Sequence, residues 1–195
     1  MGRVGRRGDQ AHEERPLAPL KAAELHRLAR EELGPTLAGI GFRRTPRATA
    51  ASWLRAEGDR WLILWFQPSQ TNYVGQPGFK FTVEFELAVE PTYGGNGRRA
   101  RLAALLTDAE RERLRALENR VIASLPPPDP HIARRLDKRT RESWLRGWRF
   151  IDKPYGPHDD VWFRQAGEAD ARELLALIRV ALPGAIDRFL VRAGA

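Results

Sequence analysis

The chain has 195 residues and a net charge of +8, from 33 basic and 25 acidic side chains, with no cysteine. That length suits one domain with a substantial core, and the absence of cysteine excludes disulfides, thiolate zinc sites and cysteine nucleophiles. The longest apolar run, residues 61–66, falls far short of the roughly 20 residues a membrane-spanning helix needs.

Residues 1–15 (MGRVGRRGDQAHEER) mix glycine with both charges and read as a mobile tail, leaving residues 16–195 as a single domain. Asp9, Glu13 and Glu14 stand where a secretory signal would need an apolar stretch, so a cytoplasmic location is expected. Leu25, Leu28, Ala29, Leu33, Leu37 and Ile40 recur at three and four residues, the pattern of an amphipathic helix. Gly34 and Pro35 should bend or split it, and Gly41 should stop it. A strand follows around Trp53 and Leu54, and Glu57, Gly58 and Asp59 turn it back into residues 61–67 (WLILWFQ). There Trp61, Ile63 and Trp65 face one way and Leu62, Leu64 and Phe66 the other, which predicts a central strand. In residues 79–89 (FKFTVEFELAV), Phe79, Phe81, Val83, Phe85, Leu87 and Val89 alternate with Lys80, Thr82, Glu84 and Glu86, which predicts a strand with one wet face. These three strands form an antiparallel meander, and residues 91–97 (PTYGGNG) close the sheet.

Thr107 and Glu110 form a capping box for a second helix, with Leu114, Leu117, Val121 and Leu125 as its buried stripe. Prolines 126, 127, 128 and 130 end that helix and make a stiff spacer over 126–130. Between His131 and Arg149 seven basic residues meet two acidic ones, a local +5 above a helical stripe of Ile132, Leu136, Trp144 and Trp148. Residues 148–151 and 161–164 read as two short strands of a C-terminal hairpin. A closing helix starts near Glu168, with Leu174, Leu177, Ile178, Ala181 and Leu182 as its stripe. Pro183 and Gly184 should bend or divide it. The expected fold is α+β: a three-strand meander plus a C-terminal hairpin, packed with N-terminal, middle and C-terminal helices.

The order of these elements carries a resemblance. A helix ends in Gly41 and Phe42 before a tryptophan strand at 52–54; a strand ending in Phe66 and Gln67 precedes the alternating strand; Asp160 stands two residues before Trp162, and a closing helix follows. This order resembles bacterial proteins of the domain-of-unknown-function 4304 family over residues 25–190. That family often has two aromatics after the aspartate, where this chain has Trp162 and Phe163. The resemblance implies an α+β fold in a bacterial cytoplasm. It implies no established activity and supplies no catalytic residues.

Of the basic residues 29 are arginine, which a GC-rich coding sequence also produces, so arginine alone is weak evidence of phosphate recognition. The candidate polyanion-binding residues are Arg134, Arg135, Lys138, Arg139 and Arg141, aided by Arg98, Arg99 and Arg101 in a glycine-arginine stretch. His158, Asp159 and Asp160 are the densest cluster of potential ligands, although turn formation accounts for them more simply. Gln67 at a strand end and Trp162 complete the candidate pocket and loop residues, and core packing is the simpler role for most of the six tryptophans. No phosphate loop, GxSxG elbow or zinc-ligand spacing is present, so no cofactor, metal or catalytic residue is assigned. The reading ranked first is a non-enzymatic binding protein working through an unidentified protein partner, as an accessory or immunity-type factor. Nucleic-acid binding through the basic segment comes second. An enzyme using Asp159, Asp160, Glu84 or Glu86 comes third.

Overall fold

A computed structural model describes residues 20–45, 51–69, 80–153, 155–156 and 161–194. The N-terminal tail, Phe79 and the His158, Asp159, Asp160 cluster lie outside the described residues. The fold is α+β: helices pack against a five-stranded antiparallel sheet whose strands lie in chain order. They are β1 (Arg43–Arg44), β2 (Ser52–Glu57), β3 (Arg60–Pro68), β4 (Phe81–Ala88) and β5 (Arg98–Arg101).

The first helix, α1 (Ala22–Gly39), buries Leu25, Leu28, Ala29, Leu33 and Leu37 as its spacing predicts. Pro35 lies inside it and does not split it. The apolar stripe runs across the proline, so burial of Leu33 and Leu37 outweighs one lost backbone bond. Beyond the helix Gly41 adopts φ 87°. Its N–H donates to the Ala38 carbonyl (3.1 Å) and that of Phe42 to the Leu37 carbonyl (2.9 Å), a Schellman turn that glycine accommodates without strain. Phe42 is thereby tucked into the core and the chain is aimed at β1.

Glu57 pairs with Arg60 across a two-residue turn whose first residue, Gly58, has φ 61°. Glycine at the first central position matches the type II′ geometry that suits the twist of a hairpin. The central strand pairs Leu64 with Phe85 and Phe66 with Val83. Trp53, Leu62, Leu64, Phe66, Phe81, Val83, Phe85 and Leu87 form the inner face, which packs with α1, α2 (Asp108–Ser124) and α5 (Glu168–Ala193) into one core. In α2 the capping box is formed: the Thr107 N–H donates to Glu110 Oε2 (2.7 Å) and Thr107 Oγ1 accepts from the Glu110 N–H (3.3 Å). Pro183 leaves α5 a single helix.

Two expectations need correction. The C-terminal hairpin is absent among the described residues: residues 146–148 form a 3-10 turn, and Phe163 makes an isolated bridge to Phe81. Both backbone groups of Phe163 bond to Phe81 (2.8 and 3.1 Å), so this short apolar stretch is satisfied by β4. The extra strands are instead the arginine-rich edges β1 and β5.

The face carrying Thr82, Glu84 and Glu86 is also not wet, for Thr82 is 1% and Glu86 0% exposed. The turn after β4 folds back over it. A side chain at Gly97 would bring its Cβ within 2.6 Å of the Leu87 carbonyl oxygen and 2.8 Å of Glu86 Cγ. Gly97→Ala should therefore cost about 1 to 3 kcal/mol in a denaturant melt, as the turn lifts off β4; an unchanged midpoint would show that the turn has slack.

Candidate functional site

Most arginines of the sheet and long helices are committed to partners. Arg172 on α5 meets Glu32 (2.9 Å), Glu31 (3.2 Å) and Glu168 (2.7 Å), tying α1 to α5. Arg188 reaches Glu110 (3.1 Å), and the Arg55 guanidinium lies 4.9 Å from the Phe42 ring centroid.

Arg99 and Arg101 of the candidate set belong to a closed cluster on the outer face of the sheet. Glu84 accepts from Arg101 Nε (3.3 Å) and from the Tyr93 hydroxyl. Glu86 accepts from the backbone N–H of Gly94 (2.9 Å) and Gly97 (3.3 Å) and pairs with Arg99 Nε (3.4 Å). The guanidinium of Arg99 covers Tyr93 and that of Arg101 covers Trp162, at 5.1 and 4.9 Å from the ring centroids. Trp65 stacks on Tyr93 at 3.9 Å. Burial, then the bond to Glu84, pushes the Tyr93 hydroxyl pKa well up, so it remains a donor. These arginines of the candidate polyanion set are thus bonded to carboxylates and rings. Arg98 is exposed at the same edge. Gln67 is half-buried opposite Thr82, whose hydroxyl donates to the Val161 carbonyl (3.1 Å).

A second cluster lies beneath α2, around a glutamate set inside the apolar stripe of that helix. Glu118 is fully buried and accepts from the Tyr155 hydroxyl and the Arg164 N–H (2.9 Å), with Arg164 Nη1 at 3.8 Å. Burial raises its carboxyl pKa against the opposing pull of Arg164. Burial likewise lowers the Lys80 ammonium. At the next position of α2, Asn119 Oδ1 accepts from the Ile151 N–H (2.7 Å), and the Ile151 carbonyl accepts from Asn119 Nδ2 (3.0 Å) and Arg115 Nη1 (3.2 Å). Consecutive side chains of α2 therefore hold the chain on its return from the basic segment.

That segment folds as α3 (Pro130–Arg135) and α4 (Lys138–Leu145), followed by the 3-10 turn Arg146–Trp148. Of its two acids, Glu142 is exposed and Asp137 is a helix cap whose Oδ1 accepts from the Thr140 N–H (3.1 Å); just before the segment, Asp129 Oδ1 accepts from the His131 N–H (2.7 Å) and caps α3. Trp144 is buried and meets Trp148 edge-on at 4.7 Å, while Trp148 Nε1 donates to the Pro126 carbonyl (2.8 Å). Above this base, Arg134, Arg135, Lys138, Arg139, Arg141, Arg146 and Arg149 are all exposed. No ion pair joins any of them to an acid among the described residues, in contrast to Arg27 of α1, Arg172 of α5 and Arg99 and Arg101 of β5. The five basic residues predicted from the sequence are thus exposed on α3 and α4, with Arg146 and Arg149 exposed in and just after the 3-10 turn that follows. Arg98, Arg99 and Arg101 lie on a different element, β5.

Among the described residues no group of three or more His, Asp or Glu could hold a metal ion, and no helix is long and apolar enough to cross a membrane. No protein-family model, curated protein or solved structure matches the chain.

Proposed function

We propose that this protein binds nucleic acid through the basic surface of α3, α4 and the 3-10 turn that follows. The observation that supports the reading is the group of seven exposed cations on one short segment, none in an ion pair among the described residues, against one exposed acid, Glu142, with Asp129 and Asp137 spent on caps. Seven like charges held close repel one another, and a phosphate backbone relieves that repulsion while releasing its own counterions. Among the described residues, the protein partner that the sequence alone ranks first has no comparable exposed patch behind it. The exposed large apolar residues Val89, Phe150, Val180 and Val191 are dispersed, the last two about 16 Å apart along α5. A bacterial cytoplasm, the setting expected from the sequence, goes with this proposal.

The test is anisotropy of labelled single-stranded and duplex oligonucleotides of roughly 20 units across a salt series. If all seven cations meet phosphates, affinity should fall about 10³-fold between about 50 and 200 mM salt. No binding at the lower salt would overturn the reading and send the search to protein partners.

A further inference from the structure

We infer that the nucleic acid bound by this surface is single-stranded, with the Phe150 ring as a platform for an unstacked base; this rests on the reading of the basic segment given above. Phe150 is 58% exposed, while the other six described phenylalanines are 0–4% exposed, so it is the exception among the described rings of this kind. The ring is not displayed by a loose loop. On its N-terminal side the Arg149 N–H donates to the Arg146 carbonyl (3.3 Å), and on its C-terminal side both backbone groups of Ile151 are bonded to Asn119. The backbone is held at both neighbours, and the side chain between them points to water.

Arg149 adjoins the ring in sequence and Arg146 lies one turn back, both exposed, so a backbone bound by these cations would run past the phenyl face. A rigid aromatic beside a row of cations is the combination that holds single strands: the cations follow phosphates and the ring stacks on any base, because every base has a π-face. In a duplex the base faces are already covered by their neighbours, and the ring gains nothing. Trp148, whose indole is tied to Pro126 and Trp144, is committed to the base of the segment, which leaves Phe150 as the available face.

The experiment compares the full-length chain with Phe150→Ala and Phe150→Trp by anisotropy on labelled oligo(dT), oligo(U) and a matched duplex. Binding to vesicles of phosphatidylcholine and phosphatidylglycerol is measured in parallel. Because the ring is exposed, both variants should melt with the parent. Phe150→Ala should weaken oligo(dT) and oligo(U) by about tenfold and leave the duplex unchanged. Phe150→Trp should retain the parent's single-strand affinity, with its added fluorescence quenched by stacking. Equal weakening of single strand and duplex, or no weakening of either, would overturn the stacking role while leaving the basic surface as the site. Preference for the vesicles would overturn it in favour of a lipid headgroup ligand. Failure of the parent to bind any oligonucleotide would overturn the underlying reading itself.

Discussion

Replacing Arg134, Arg135, Arg139 and Arg141 together with glutamine should lower affinity for a single strand by between about 10² and 10³-fold at about 0.1 M salt. The magnitude follows from counterion release. A single strand gives a slope of log affinity against log salt of about −0.7 per phosphate contact, so seven contacts give about −5 and the three left in the variant about −2. A difference of about three in slope, extrapolated from molar salt where the electrostatic term vanishes, amounts to nearly three decades at 0.1 M. The four residues are exposed and carry no ion pair among the described residues, so their removal leaves no buried partner unsatisfied and the fold should be untouched. The control is Lys21, Arg44, Arg113 and Arg192, all exposed and all outside the segment, replaced in the same way. That variant has the same reduction in net charge. If it loses affinity to the same extent, the effect belongs to overall charge and the segment is not a site.

The sheet's three long strands were legible in the sequence because alternation is a period-two signal that survives wherever one face is buried. β1 and β5 were not legible, for RR and RRAR carry no apolar alternation. Their side chains are held by the outer face: Arg43 lies over the Trp61 ring at 5.1 Å, and Arg99 and Arg101 meet the glutamates of β4. Arginine was therefore ambiguous residue by residue. Whether a guanidinium is free depends on which acid the fold brings near it, and Glu86 opposite Arg99 is a fact of register. The basic segment was legible as a charge imbalance over 131–149. That Asp129 and Asp137 cap helices was readable too, since each precedes a helix start. Phe150 was misplaced into a strand because an aromatic flanked by arginine and isoleucine fits β-propensity, which says nothing about tethering by Asn119. The His158, Asp159 and Asp160 loop lies outside the described residues, and the site of interest does not depend on it. The resemblance to the domain-of-unknown-function 4304 family remains a proposal resting on the order of elements.

Glu118→Ala should cost about 3 to 5 kcal/mol in a denaturant melt, the largest stability loss among these changes, because it strips an acceptor from the half-buried Tyr155 hydroxyl and from a backbone N–H and removes the carboxyl group that faces Arg164. Position 118 had a signal: it lies four residues after Leu114 and three before Val121, inside the apolar stripe of α2, where a carboxylate needs a bonded reason to be. Glu118→Gln should cost much less, since the amide oxygen still accepts and the shape is kept. The two proteins should then separate with pH. Burial raises the folded carboxyl above its ordinary value near 4.5, so folding takes up a proton between that value and the folded one. This contribution to stability is complete below about 4.5 and is lost as pH rises through the folded value, where the buried group must ionise. Glutamine does not titrate and escapes that loss. The melting temperature of Glu118→Gln relative to the parent should therefore rise as pH climbs from about 4.5 through the folded value and level off above it, with every other titrating group common to both. A gap that stays constant or narrows over that range would mean that Arg164 and Lys80 hold Glu118 ionised in the fold, and that the buried cluster is an ion pair outright.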